Sequence, residues 1–205
     1  MSALPDVSRE TEARLRALLE LLQRWNNAVR LVAPADPATL WRRHVLDSAQ
    51  LWRLAPERAK YWVDLGSGGG FPGLVVAVVA AEHRPDLKVA LVESDTRKTL
   101  FLSEAARRLG LSVDILRRRI ERDPEPVGDV VSARALAPLP DLLALAAPWL
   151  SDGGVALFPK GARVEREVAA AKRDWRFTLT RHPSITDPRG VILAVTEPRL
   201  ANSHR

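Results

Sequence analysis

The 205-residue sequence contains no cysteine, one methionine and one tyrosine. The absence of cysteine excludes disulfide bonds, thiolate metal sites, iron–sulfur clusters and cysteine nucleophiles. The sequence also lacks any apolar run near the roughly 20 residues that a membrane-spanning helix needs. Its first residues, MSALPDVSRETEAR, are acidic and polar, unlike a secretory signal. We therefore expect a cytoplasmic protein with no membrane span.

The charge of the chain is unbalanced towards basic residues. Lysine and arginine number 31 against 25 acidic residues, which gives a net charge of +6, and most of the basic residues are arginine. Binding to a polyanion such as RNA would explain this charge, and so would the base composition of the genome. The four histidines are scattered, and no cluster of carboxylates accompanies them. We therefore expect no metal site.

Residues 1–60 are predicted to form a small helical appendage. Leucines recur at helical spacing after Ser8 and Glu10, which suit a helix start. A second helical stretch follows the proline-marked break APADP and includes His44 and Asp47, which at a spacing of three share one helix face. That pair could hold RNA, or it could anchor the helix beneath the loop described next, and we favour the anchoring role.

From Tyr61 onwards the pattern predicts a second domain, residues 61–205, in which strands and helices alternate. Such alternation is typical of a parallel sheet covered by helices. The last two predicted strands, 176–180 and 190–198, follow each other without an intervening helix. We therefore expect a C-terminal antiparallel hairpin joined by the loop HPSITDPRG.

The segment DLGSGGGFPG, residues 64–73, holds five glycines directly after a predicted strand. A phosphate-binding P-loop would end in Gly-Lys-Ser/Thr, which is absent. A dinucleotide fingerprint fits only if it starts at Gly68, two residues late. The frame that fits best is that of S-adenosylmethionine-dependent methyltransferases, matched by Asp64, Gly66, Gly68 and Gly70. Glycine would leave bare backbone beneath the adenosyl and amino-acid parts of this cofactor.

Glu93 closes the next predicted strand, KVALVES. A nucleoside cofactor needs an acidic side chain at about this distance along the chain to hold the ribose hydroxyls. The two features together indicate a nucleoside site, with an NAD-type oxidoreductase and a non-catalytic RNA-binding module as the alternatives.

Seven segments between roughly residues 25 and 161 together resemble one known family: WNNAVRLV, RHVLDS, DLGSGGGFPG, LVESDTRKTLFL, RRIE, SARA and PKG. In this order they closely resemble the bacterial ribosomal small-subunit guanine-N7 methyltransferase family, also called glucose-inhibited division protein B. The resemblance implies a Rossmann-like class I methyltransferase fold with a seven-stranded, mostly parallel sheet. It also implies S-adenosyl-L-methionine as methyl donor and a guanine of 16S ribosomal RNA, in a 30S subunit or an assembly intermediate, as acceptor.

The resemblance also implies site residues. Cofactor contacts would be made by Gly66, Phe71, Glu93, Ile120, Glu121 and Arg134. Polar positions that face the RNA would be His44, Asp47, Lys98, Arg119 and Lys160, and the positioning candidates for the reaction are Arg119, Arg134 and Lys160. An ion pair of Arg134 with Glu121 or Asp64 is the alternative role for that arginine.

The chemistry of the remaining residues agrees with guanine N7 as acceptor. Methylation of an exocyclic amine usually needs an Asp/Asn-Pro-Pro-aromatic motif, whereas the fourth strand here ends in SARALAPLP. Methylation of a pyrimidine carbon ordinarily needs a cysteine nucleophile, which is absent. Guanine N7 carries a free lone pair and no proton, so positioning would be the main catalytic device.

Overall fold

The computed structural model describes residues 7–201, so the two ends of the predicted domains, 1–6 and 202–205, lie outside the described residues. Seven strands form one sheet in the order β3-β2-β1-β4-β5-β7-β6. Strands β1 to β5 are parallel, and β7 runs antiparallel to both β5 and β6. The strands are β1 Tyr61–Leu65, β2 Lys88–Glu93, β3 Asp114–Arg117, β4 Gly128–Ala133, β5 Leu150–Lys160, β6 Trp175–Pro183 and β7 Val191–Leu200.

Helices cover both faces of the sheet. The α-helices are α1 Arg9–Asn26, α2 Pro37–Leu40, α3 Asp47–Trp52, α4 Gly73–His83, α5 Thr96–Arg108, α6 Leu139–Ala146 and α7 Val164–Asp174. Neighbouring side chains of a strand point to opposite faces. Trp62 therefore belongs to the apolar cluster shared with α1, α4 and α5, whereas Val63 belongs to the cluster shared with α6 and α7.

The N-terminal helices pack on the part of the chain that forms the sheet. Ser8 caps α1 by accepting a hydrogen bond from the Thr11 N–H at 3.1 Å, as its position predicted. Leu15 and Leu18 of α1 are fully buried in the same cluster as Leu74 of α4. The division of the chain at residue 60 stays a prediction.

The second predicted helix is irregular. A π-helical stretch, Trp41–Leu46, lies between α2 and α3, so the segment is not the regular α-helix that the apolar spacing predicted. Trp41 and Val45 of this stretch are buried in the core. Wide turns of this kind often occur beside functional sites, and His44 lies in this one.

The predicted C-terminal hairpin is confirmed by the antiparallel pairing of β6 with β7. The connecting loop, residues 184–190, is closed by a hydrogen bond from the Ser184 N–H to the Gly190 carbonyl at 3.0 Å. Between residues 7 and 201, no helix combines the length and apolarity needed to cross a membrane.

Candidate active site

The glycine loop connects β1 to α4 at the carboxyl edge of the parallel strands. Its backbone is anchored to β2, because the N–H groups of Gly66 and Ser67 donate to the Val92 carbonyl at 2.9 and 3.1 Å. The Gly68 N–H donates to Oε2 of Glu93 at 3.0 Å, and the other oxygen of Glu93 accepts from the Asp95 N–H at 2.9 Å. The predicted acidic residue therefore lies directly against the predicted loop.

The glycines of the loop serve two different purposes. Gly66 and Gly68 adopt φ angles of +66° and +52°, the left-handed region that favours glycine, and both line an open cleft. A Cβ on Gly68 would meet only the Gly66 carbonyl, at 3.7 Å, so the space above it is free of protein. A Cβ on Gly70 would lie 2.4 Å from Leu74, so the glycine there makes room for α4.

Asp64 lies fully buried beneath the loop. Its carboxylate accepts hydrogen bonds from the Ser132 hydroxyl at 2.7 Å and from the Gly73 N–H at 3.2 Å. Ser132 in turn accepts from the Trp62 indole N–H at 2.8 Å. Burial raises the pKa of Asp64 to about 6, and these hydrogen bonds oppose the rise. Asp64 therefore supports the loop from below and does not line the cleft.

Arg134, at the end of β4, contacts three residues of the π-helical stretch and the start of α3. It donates to Nδ1 of His44 at 2.8 Å and to the Arg43 carbonyl at 2.8 Å, and it pairs with Asp47 at 3.5 Å. The direct ion pair of Arg134 is therefore with Asp47, and Asp64, the alternative partner considered with Glu121, interacts with it only through charge. No local pattern in the sequence indicates that α3 reaches this strand.

His44 stacks on Phe71 of the glycine loop, with ring centroids 4.9 Å apart. Burial, together with the charges of Arg134 and Arg43, lowers the pKa of His44 to about 4. His44 is therefore neutral at neutral pH and accepts the Arg134 hydrogen bond through Nδ1. These contacts agree with the anchoring role that the sequence favoured for this pair.

The hairpin loop 184–190 reaches back to the same place. The Thr186 hydroxyl donates to Oδ1 of Asp47 at 2.7 Å, and Arg42 donates to the Thr186 carbonyl at 3.2 Å. Gln50 accepts from the Ile185 N–H at 3.0 Å. The sequence identified this segment as a loop only, since nothing local in HPSITDPRG indicates a contact some 139 residues away.

Two clefts open side by side at this edge of the sheet. The glycine cleft has a volume of about 960 Å³, and its lining includes His44, Gly66, Gly68, Phe71 and Lys98. The second cleft has a volume of about 920 Å³ and includes Lys160. Both clefts are lined by Asp47, Arg134, Ala135 and Asp187, which form the border between them.

The other predicted site residues lie outside these two clefts. Arg119, Ile120 and Glu121 follow β3, whose last residue pairs with Glu93, so they share the carboxyl edge. Arg119 and Glu121 are exposed, and the Ile120 carbonyl accepts from the Trp149 indole N–H at 2.9 Å. The structure does not bring this segment into contact with the His44 and Arg134 cluster.

Lys160 is tied to the protein itself. Its ammonium donates to the Ala137 carbonyl at 2.8 Å and pairs with Glu167 at 2.8 Å. Glu167 also accepts from the Leu139 N–H at 3.0 Å, at the start of α6. Lys160 therefore fixes the segment that follows Arg134.

The strand order and the glycine loop define a class I, Rossmann-like methyltransferase, as predicted. The fold is similar to a methyltransferase from Podospora anserina solved with S-adenosylhomocysteine, with a TM-score of 0.60 and 15% identity over 95% of this chain and 98% of that one. It is also similar to a ribosomal protein L11 methylase from Lactobacillus delbrueckii subsp. bulgaricus, with a TM-score of 0.59 and 16% identity over 81% of each chain. At such identities the likeness shows the fold alone.

The chain belongs to the family described as rRNA small subunit methyltransferase G, whose sequence model matches residues 11–192. A relative named ribosomal RNA small subunit methyltransferase G from Cereibacter sphaeroides is 50% identical over 92% of this chain and 91% of its own. One of the same name from a Ruegeria species is 48% identical over 93% and 92%. The predicted family, the enzyme class and S-adenosylmethionine as cofactor are confirmed.

Proposed function

We propose that this protein transfers the methyl group of S-adenosylmethionine to N7 of a guanine in 16S ribosomal RNA. The acceptor would be RNA of the 30S subunit or of an assembly intermediate, which places the protein in the cytoplasm. The names of its relatives support this substrate. Family membership argues against the alternatives of an NAD-type oxidoreductase and a non-catalytic RNA-binding module.

The residues of the glycine cleft fit the proposed donor. Gly68 exposes backbone to free space and Gly66 lines the same cleft, and Glu93 stands next to them with a carboxylate that can hold ribose hydroxyls. Phe71 and Arg134 lie at the far side of the loop, where they would contact the amino-acid part. Ile120 and Glu121 lie on the same edge beyond Glu93, where they would border the adenine.

Asp64 and Gly70 would act on the cofactor indirectly. Asp64 is covered by the loop that it supports, and Gly70 lets Leu74 pack close to that loop. We therefore assign Asp64 and Gly70 a role in shaping the cofactor site, without a direct contact with the cofactor. His44 would act in the same way, because its ring holds Phe71 in place.

The chemistry that the donor supplies is an electrophilic methyl carbon bonded to a sulfonium. The N7 lone pair would form the new bond to this carbon, which would leave the carbon–sulfur electron pair on sulfur and the positive charge on the guanine ring. No proton leaves N7, so the reaction needs no general base. The protein contributes alignment, which in well-oriented pairs lowers the barrier by several kcal/mol, roughly 7–11 at most.

The charge around the clefts suits a phosphate chain. Arg42, Arg43 and Arg189 are exposed side chains of the glycine cleft, and Lys98 lies partly exposed at its rim. Such groups bind phosphates without reading sequence. Arg119, exposed on the same edge of the sheet, would extend this contact.

The single observation that carries the proposal is the open, left-handed Gly66–Gly68 backbone joined to Glu93 at the edge of the sheet. Its test is incubation with methyl-labelled S-adenosylmethionine and either 30S subunits or deproteinised 16S rRNA, followed by nuclease digestion and mass spectrometry. We expect labelled N7-methylguanine. Label on another base, on protein alone or on nothing would overturn the proposal, as would calorimetric binding of NAD without binding of S-adenosylhomocysteine.

A further inference from the structure

The second cleft contains basic side chains that the site described so far does not use. Four basic and three acidic residues line it: Arg134, Lys160, Arg163 and Arg166, with Asp47, Glu167 and Asp187. Each acid already has a cationic partner, since Asp47 pairs with Arg134, Glu167 with Lys160 and Asp187 with Arg189. Arg163 and Arg166 are left without a carboxylate partner among residues 7–201.

Both of these arginines are exposed and lie at the start of α7. Arg163 directly precedes the helix, and Arg166 lies in its first turn, and both residues line the same cleft. Two like charges that line one cleft repel one another, and an anion bound there would reduce this repulsion. The guanidinium fork matches the geometry of phosphate and can bind it through two hydrogen bonds.

Much of the rest of the second cleft is apolar. Leu136, Pro138, Pro140 and Ile192 contribute to its walls, beside the partly buried charged side chains of Arg134 and Lys160. A nucleotide suits such a cleft, because its base is apolar on its faces and its phosphate is anionic. An acidic peptide would use the charged side chains but would leave the apolar wall empty.

The position of the second cleft relative to the donor site indicates from which side the RNA would approach. The glycine cleft lies over β1 and β2, whereas the second cleft lies over β4 and β5, and Arg134 stands on the border. If the donor occupies the glycine cleft, the acceptor base must reach this border from the other side. The second cleft is the open space on that side.

We propose that the second cleft is the path of the RNA strand next to the target guanine, with Arg163 and Arg166 holding its phosphates. This inference rests on the proposed function and adds the surface that the substrate uses. It also replaces Lys160, which is tied to Glu167, with these two arginines as the RNA contacts of this region.

The test compares the double variant Arg163→Ala/Arg166→Ala with a matched control, Lys172→Ala/Arg173→Ala, in the full chain. The control removes the same charge from exposed residues of the same helix, outside the lining of either cleft. Methyl transfer to deproteinised 16S rRNA and to 30S subunits is measured at several salt concentrations, and S-adenosylhomocysteine affinity is measured by calorimetry.

For the cleft variant we expect KM for the RNA to rise by about tenfold or more, with unchanged S-adenosylhomocysteine affinity. The slope of log KM against log salt concentration should fall by about one for each arginine lost. The KM of the control variant should stay within about twofold of the parent's KM, because Lys172 and Arg173 would contact no phosphate.

Equal KM and salt dependence in the two variants would overturn the inference. A defect with 30S subunits but not with deproteinised rRNA would overturn it as well, because the arginines would then contact a ribosomal protein. Failure of the proposed function looks different: the parent protein itself would bind S-adenosylhomocysteine and methylate neither form of the RNA.

Discussion

Arg134 donates a hydrogen bond to Nδ1 of His44 at 2.8 Å, which joins the end of β4 to the π-helical stretch. The bond fixes the tautomer of the neutral imidazole, whose ring stacks on Phe71 of the glycine loop. The same guanidinium pairs with Asp47, which holds the hairpin loop through Thr186. Three distant parts of the chain therefore depend on one arginine.

Arg134→Lys should lower kcat by about 10- to 100-fold, corresponding to about 1–3 kcal/mol. A lysine carries the charge but cannot place donors on His44, the Arg43 carbonyl and Asp47 together. Steady-state methylation of 30S subunits checks this, with Arg173→Lys on exposed α7 as the control. A variant as active as the parent would show that the three contacts do not align the site.

Gly68→Ala should abolish or strongly weaken S-adenosylhomocysteine binding, because its Cβ would project into the cleft. Gly110→Ala is the matched control, since Gly110 has a similar φ of +60° and its Cβ, like that of residue 68, would clash with no protein atom. Both variants should lose roughly 1–2 kcal/mol of stability through backbone strain. Calorimetry and urea unfolding separate the two effects, and equal affinity in both variants would contradict the proposed cofactor position.

The raised pKa of Asp64 should make the stability of the protein depend on pH. Its pKa is raised by burial from 3.8 to about 6, so the folded chain keeps a proton that the unfolded chain has lost in this range. The resulting stabilisation is present below about pH 4 and is lost as pH rises through about 6, with an upper limit of about 3 kcal/mol.

The measurement for Asp64 is urea unfolding of the parent and of Asp64→Asn between pH 4 and 7. The pKa of His44 is lowered, so its contribution is lost as pH falls and has the opposite sign. Because both proteins contain His44, the difference between them isolates Asp64. Relative to the variant, the parent should become less stable as pH rises, and a constant difference would refute the assignment.

Lys160→Met should lower the free energy of unfolding by about 2–3 kcal/mol while leaving KM for the RNA unchanged. The substitution leaves the half-buried Glu167 without its partner and the Ala137 carbonyl without its donor. Urea unfolding and methylation kinetics below the melting temperature measure the two quantities. A higher KM with unchanged stability would return Lys160 to the RNA-contact role that the sequence suggested.

The sequence predicted those features that depend on local pattern. Strand and helix alternation, the glycine loop with Glu93 at the next strand end, and the C-terminal hairpin are all local signals, and the structure contains each of them. The helix cap at Ser8 is local in the same way.

The features that the sequence did not predict are contacts between distant segments. Nothing near Asp47 indicates Thr186, and nothing near Lys160 indicates Glu167 as its partner rather than RNA. Ser132 and Trp62, which complete the hydrogen bonds of Asp64, were missed because their spacing follows the strand register. The π-helical stretch was missed because apolar spacing does not separate it from an α-helix.

A crystal structure with bound S-adenosylhomocysteine would show whether bare backbone and one carboxylate form the donor site. We expect the ribose hydroxyls on Glu93, the homocysteine part over Gly66 and Gly68, and the sulfur directed towards the border at Arg134. A ligand bound elsewhere, or one that leaves Glu93 without a contact, would contradict this expectation.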